Sequence, residues 1–182
     1  VRIVDEAGRE AADRAQGRVE FRGPSATAGY YRNAAATRRV LDRGWVDSGD
    51  LGYIAEGELY VTGRTKDMII RGGRNIHPQE LEEAVGNVSG IRLGFVAVFG
   101  TRDARSSTER LVVVAETRAT QLEDREKLVS KIGDLSSELL EAPPDDVVLV
   151  PPGSVPKTPS GKIRRSACRE LYEKGELGRK RR

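Results

Sequence analysis

Between residues 94 and 150 the chain reads as strand, strand, long amphipathic helix, strand, and that order leaves few folds open. Gly94–Phe99 and Arg110–Glu116 are apolar runs of strand length, split by a polar loop at Thr101–Thr108. Leu122–Leu140 has helical spacing, with Leu128, Ile132, Leu135 and Leu139 on one side. Val147–Val150 supplies a third strand. Upstream, His77-Pro78-Gln79-Glu80 opens a helix, with Pro78 near the first position and Leu81, Ala84, Val85 and Val88 as its apolar stripe. A last helix covers Arg165–Glu173. Few strands among several helices predict an α+β domain of about 115 residues, a three-stranded sheet packed by helices.

Residues 1–65 read differently. Val1–Asp5 and Gly17–Arg22 are strands, and Val19 and Phe21 alternate with charges as a half-buried strand requires. Asn33–Leu41 is helical, with Asn33 as N-cap. Trp45–Ile54 brings a strand to a turn and out again. Glu58–Thr62 and Lys66–Arg71 are expected to pair around Gly63-Arg64-Thr65, before a turn at Gly72-Gly73. This β-rich stretch is too short and open to close a core alone. The expected division is 1–65 and 66–182.

Composition excludes several classes. No apolar run approaches the roughly 20 residues of a membrane span. The chain starts in mid-strand without Met or a signal peptide, as a fragment of a longer protein would. A single cysteine, Cys168, excludes an internal disulfide framework and fits a reducing compartment, so a cytoplasmic location is expected. With one histidine in the chain to activate it, Cys168 reads as structural rather than catalytic. Residues 162–182 carry nine Lys or Arg and three Glu, against 22 and 25 elsewhere. No aromatic ladder accompanies the basic end Gly178–Arg182, so a solvated tail is expected there and no nucleic-acid partner.

Pro156-Lys157-Thr158-Pro159-Ser160-Gly161-Lys162, followed by Ile163-Arg164-Arg165, is the stretch richest in chemistry. Two prolines stiffen it and Gly161 then lets the backbone turn. Such a loop can carry one ammonium to a phosphate or carboxylate. It is not a Walker loop, because Gly153 and Gly161 are wrongly spaced and Ile163 follows the lysine. Taken alone, it fits a solvated basic loop equally well. Asp50, in Ser48-Gly49-Asp50 after Trp45, could hold a ribose diol as carboxylates do in dinucleotide folds, although a turn cap is the plainer reading of Asp50 alone. Gly63-Arg64-Thr65-Lys66-Asp67 is likewise, by itself, a charged hairpin turn.

In order, the chain carries Gly-Trp-Val-Asp-Ser-Gly-Asp-Leu-Gly, Gly-Arg-Thr-Lys-Asp-Met-Ile, Gly-Gly-Arg-Asn-Ile-His-Pro-Gln-Glu-Leu-Glu and Pro-Lys-Thr-Pro-Ser-Gly-Lys-Ile-Arg-Arg. Together with Phe21-Arg22-Gly23-Pro24-Ser25 and Gly29-Tyr30-Tyr31, these strongly resemble the C-terminal third of the adenylate-forming superfamily, from about Val1 to Leu177. Arg71–Gln79 and the Thr108–Glu116 strand look most like fatty acyl-AMP ligases and long-chain acyl-CoA synthetases.

The resemblance implies that residues 1–65 end the large N-terminal adenylation domain and that 66–182 form its small C-terminal lid. It implies ATP-dependent activation of a carboxylic acid, expected to be fatty, to acyl-AMP. Transfer then follows to the thiol of CoA or of an acyl carrier protein's phosphopantetheine. Asp50 would bind the ribose of ATP, and Arg64 the ribose or phosphates. Lys66 would be the hinge, Gly73 the glycine passed by pantetheine, and Lys162 the lysine of adenylation. Arg164 and Arg165 would dock the lid or meet the acceptor, and His77 would be structural at a helix-opening position. ATP and Mg2+ would be held mostly by upstream segments that this chain lacks, no metal ligand is expected within it, and the chain alone would be inactive. The alternative is a non-enzymatic lid-like module that binds a carrier protein or partner. Retention of Asp50, Arg64 and Lys162 together argues against it, since such a module has no need of all three.

Overall fold

A computed structural model of the chain describes residues 1–102 and 108–178. Most of the expected polar loop at Thr101–Thr108, and the basic end Arg179–Arg182, therefore lie outside the described residues. The chain divides into two compact units, Val1–Lys66 and Asp67–Arg182.

The first unit is one antiparallel sheet with a short helix. Its elements are β1 (Arg2–Val4), β2 (Gly17–Phe21), α1 (Ala34–Val40), β3 (Leu41–Asp42), β4 (Trp45–Ala55) and β5 (Glu58–Arg64). The strands run β1-β2-β4-β3, and β5 also pairs with β4. Asn33 caps α1 as expected, its side chain accepting from the Ala36 amide at 3.0 Å. Ile3, Val4, Val19, Val46, Leu51 and Ala55 are buried, whereas Leu59, Tyr60 and Val61 of β5 are exposed.

Two expectations fail here. Trp45–Ile54 does not turn back: it lies within the single long strand β4, kinked at Gly49, whose φ is +75°. The kink survives because side chains take up the displaced amides. Gly49 N–H donates to Asp47 Oδ1 at 2.8 Å and Asp50 N–H to Ser48 Oγ at 3.0 Å. Nor do Glu58–Thr62 and Lys66–Arg71 pair with each other. β5 pairs with β4, Thr65–Asp67 form a turn of 3-10 helix, and Ile69–Arg71 finds a partner downstream.

The second unit contains β6 (Ile69–Arg71), β7 (Arg74–Ile76), α2 (Pro78–Gly86), β8 (Ile91–Arg102), β9 (Glu109–Thr117), α3 (Leu122–Leu140), β10 (Asp146–Val150) and α4 (Arg165–Glu173). Its main sheet is three-stranded with β9 in the middle, antiparallel to β8 and parallel to β10, and α3 is the crossover that a parallel pair requires. Alternation explains why these strands are almost wholly apolar. Val96, Val98, Leu111, Val113 and Ala115 face one cluster with α2 and α3. Ala97, Phe99, Val112, Val114 and Val150 face a second with Val155, Ile163, Cys168 and Tyr172.

On α3 the buried stripe is Leu128, Ile132 and Ser136, with Leu140 partly buried against the core. Leu139, expected on it, is 44% exposed. Spacing by fours holds one line down the helix, and the buried Ser136 hydroxyl is satisfied by donating to the Ala142 carbonyl at 2.9 Å. Cys168 is fully buried, and burial, with a smaller push from the Glu82 and Glu116 carboxylates, drives its thiol up to about 12, so it packs rather than reacts. Among the described residues no helix is long and apolar enough to cross a membrane.

Candidate functional site

The sequence singled out Asp50 and Arg64, and both stand in the first unit as directly paired positions of β4 and β5. Arg64 Nε lies 3.2 Å from Asp50 Oδ1, and the side chains are 53% and 29% exposed. Asp50 is thus a strand residue just beyond a kink rather than the cap of a turn. The kink matters, because Ser48 Oγ fixes the Asp50 amide while also donating to the Val19 carbonyl at 2.9 Å. The result is a partly open carboxylate with a cation beside it. A vicinal diol could bridge such a pair, the carboxylate accepting from its hydroxyls. Lys66 occupies the middle of the 3-10 turn Thr65–Asp67 and is the last residue of the first unit.

Gly73 is in the second unit, in the two-residue connection of the β6–β7 hairpin. Gly72 and Gly73 have φ of +57° and +77°, the left-handed pair that closes a tight hairpin at no steric cost to glycine. A Cβ on Gly73 would meet nothing within 4 Å, so this turn presents bare backbone. The Gly72 amide donates to Thr108 Oγ1 at 2.8 Å, and the Ile70 amide to Glu109 Oε2 at 2.8 Å. Both bonds hold the hairpin to the start of β9.

Lys162 is better fixed than its sequence suggests. Thr158–Gly161 is a hydrogen-bonded turn, the Gly161 amide donating to the Thr158 carbonyl at 2.9 Å. Thr158 N–H reaches the Lys162 carbonyl at 2.8 Å, Lys162 N–H reaches Thr158 Oγ1 at 3.0 Å, and Lys157 bridges Ile163 as in antiparallel strands. The stretch expected to turn at Gly161 does so as a closed hairpin. Its Lys162 side chain is exposed, and among the described residues the ammonium makes no ion pair.

Arg165, expected at a docking or acceptor surface, is spent inside the second unit. Its guanidinium forks onto Glu82, with Nε–Oε1 at 2.7 Å and Nη2–Oε2 at 2.5 Å, and its remaining nitrogen meets Asp67 Oδ2 at 2.8 Å. Burial works to lower the pKa of this guanidinium, but the hydrogen bonds and charges of Glu82 and Asp67 outweigh it and hold it above its ordinary value. Glu82 Oε1 also accepts from the Val98 amide at 3.0 Å, so α4, α2 and β8 meet at one carboxylate. Nothing in a single sequence links residues 67, 82 and 165. Arg164 is exposed and its amide donates to the Pro156 carbonyl at 3.0 Å. His77 precedes α2, without capping it through its side chain.

Among the described residues no three His, Cys, Asp or Glu side chains gather in a way that could hold a metal ion.

No family model matches the chain. A protein of Mycobacterium tuberculosis named "Putative ligase Rv1013" is 41% identical over 169 residues, which are 91% of this chain and 30% of that protein. Among solved structures, McyG A-PCP complexed with phenylalanyl-adenylate superposes with a TM-score of 0.85 at 34% identity, covering 96% of this chain and 27% of that one. A structure from work on fatty acyl-adenylate ligases from E. coli and L. pneumophila gives 0.82 at 34% identity, covering 96% and 30%. The chain therefore spans about 30% of the length of the curated relatives it matches. It belongs to the adenylate-forming superfamily, as a stretch that corresponds to the C-terminal part of its members.

Proposed function

We propose that this chain is the C-terminal part of an acid–thiol ligase, and that residues 67–182 act as its lid. In this reading the substrate carboxylate attacks the α-phosphate of ATP, forming acyl-AMP and releasing pyrophosphate. A thiol of CoA or of a carrier protein's phosphopantetheine then attacks the acyl carbon and expels AMP. The acid is proposed to be a fatty acid. Asp50 would accept the ribose hydroxyls with Arg64 beside it, Lys66 would be the hinge, and the bare Gly72-Gly73 turn would let the pantetheine arm pass. Mg2+ would enter with the nucleotide.

The observation that carries the reading is the Lys162 hairpin, a backbone locked by its own hydrogen bonds that presents an ammonium without an ion-pair partner among the described residues. Such a cation lowers the repulsion between carboxylate and triphosphate, and stabilises the charge that builds on the α-phosphate more than the charge of the ground state. A module used only for binding would have no need to keep Asp50, Arg64 and Lys162 together.

The test is pyrophosphate release from ATP–Mg2+ with a panel of carboxylic acids, run on residues 1–182 and on a complete ligase polypeptide that carries them. Acid-dependent release by the complete polypeptide is expected. Residues 1–182 should bind ATP no better than about millimolar, roughly 4 kcal/mol, and should not turn it over. A complete polypeptide that binds a carrier protein and releases no pyrophosphate with any acid would favour the interaction module instead.

A further inference from the structure

Glu116, at the end of β9, is fully buried, and its carboxylate is satisfied by three donors. Oε1 accepts from the backbone amides of Gly153, at 2.9 Å, and Val155, at 2.8 Å. Oε2 accepts from Arg92 Nη1 at 2.9 Å. The two amides belong to the segment that leaves β10 and enters the Lys162 hairpin. Val155 is itself buried in the core, and Lys157, two residues on, is the first strand of that hairpin through its bridge to Ile163. A second tether acts at the same place. The Phe95 ring takes both Arg92, whose Cζ is 3.6 Å from its centroid, and Lys157, whose Nζ is 3.8 Å from it.

The sheet thus grips the root of the hairpin twice, once from the central strand through the two amides held by Glu116, and once from the edge strand β8 through Phe95 against Lys157. We propose that Glu116 is a positioning residue for adenylation, setting where the Lys162 ammonium stands without touching substrate. The inference rests on the reading of Lys162 given above. A carboxylate suits the task because both oxygens accept, and three donors converge on them. Glutamine would turn an NH2 group toward a donor, and aspartate is one methylene too short to reach the amides from β9. Misplacing a catalytic group by about 1 Å costs on the order of 10²-fold in rate, so loosening the root should be felt at the tip.

The experiment pairs two readouts on Glu116→Gln and Glu116→Asp. In residues 1–182, amide hydrogen exchange followed by NMR should quicken about tenfold or more at Gly153 and Val155, and stay within about twofold at Leu111–Val114. In the complete ligase polypeptide, kcat for pyrophosphate release should fall by roughly 10- to 100-fold in both variants with the KM for ATP nearly unchanged. Unchanged exchange at residues 153 and 155, equal quickening across the sheet, or full activity in Glu116→Asp would each overturn the proposal. If the wild-type polypeptide releases no pyrophosphate, the adenylation reading and the catalytic part of this inference fail together. The exchange data would still decide whether Glu116 anchors the hairpin.

Discussion

The two units of this chain handle apolar surface in opposite ways. In Asp67–Arg182 both faces of a three-stranded sheet are covered, with Leu111, Val113 and Ala115 on one side and Val112 and Val114 on the other all at 0% exposure. In Val1–Lys66 the sheet buries a handful of aliphatic side chains, and β5 leaves Leu59, Tyr60 and Val61 at 40–60% exposure. Charged groups follow this division less strictly, since the first unit also buries Glu20 of β2, which accepts from Arg2 Nε at 2.9 Å and Nη2 at 2.7 Å. The second unit can afford Glu116 at no exposure and a forked Arg165–Glu82 pair, because the surrounding sheet and helices supply the partners. The first unit keeps Asp50 and Arg64 partly in water. The closed core removes a carboxylate from water altogether, as at Glu116, whereas the open sheet fixes Glu20 by a cross-strand arginine and leaves Asp50 and Arg64 accessible.

The largest test of that contrast is a matched pair of core truncations. Ile132→Ala, at a site with no exposure in the second unit, should cost toward the upper end of about 2–5 kcal/mol, since the sheet and helices around it cannot collapse into the space. Leu51→Ala, at 7% exposure in the first unit, should fall near the lower end. Opening free energies from native-state amide exchange, read separately for each unit, would measure both, and equal costs would break the comparison.

A smaller effect should appear in alkali. Tyr172 is pushed up to about 12 by burial first, and then by its hydrogen bond to Asp146 Oδ2 at 2.7 Å and by that carboxylate's charge. In the folded unit the phenol keeps its proton where an unfolded chain, at the ordinary value of 10.0, loses it. Its contribution to stability is therefore fully present below the unfolded value and is lost as pH rises toward the folded one. The buried Cys168 thiol acts in the same direction from a lower ordinary value. Denaturant titrations should show the second unit weakening from about pH 9 through Cys168 and more steeply above about pH 10, and Tyr172→Phe should flatten the steeper part. A fall of equal slope in the variant would remove Tyr172 as its cause.

Much of the second unit was legible because strict periodicity wrote it. The long helix, the last helix and the three apolar strands stand where alternation and helical spacing put them, β8 running longer at both ends than its apolar run. The misreadings have local physical reasons. Apolar spacing places Leu139 on the buried stripe, while the helix buries Ser136, whose hydroxyl donates to a carbonyl. Trp45–Ile54 looked like a turn because Asp47, Ser48 and Gly49 are turn residues, yet their side chains satisfy a kink inside one strand. Ile69–Arg71 pairs downstream because the tight turn that can close a hairpin on it is Gly72-Gly73, not Gly63-Arg64-Thr65. The candidate residues could be found as motifs. The partners that hold them, Glu82 for Arg165 and Glu116 for the hairpin root, are 83 and dozens of residues away in sequence and left no local signal.

The most direct measurement concerns Lys162 itself, in a complete ligase polypeptide assayed for its two half-reactions separately. Lys162→Ala should reduce acid-dependent acyl-AMP formation by about 10²–10³-fold or more, as loss of a charge-stabilising donor does, and leave transfer from supplied acyl-AMP to a thiol largely intact. Equal loss of both half-reactions, or acyl-AMP formation at the wild-type rate, would contradict the assignment of the hairpin lysine to adenylation.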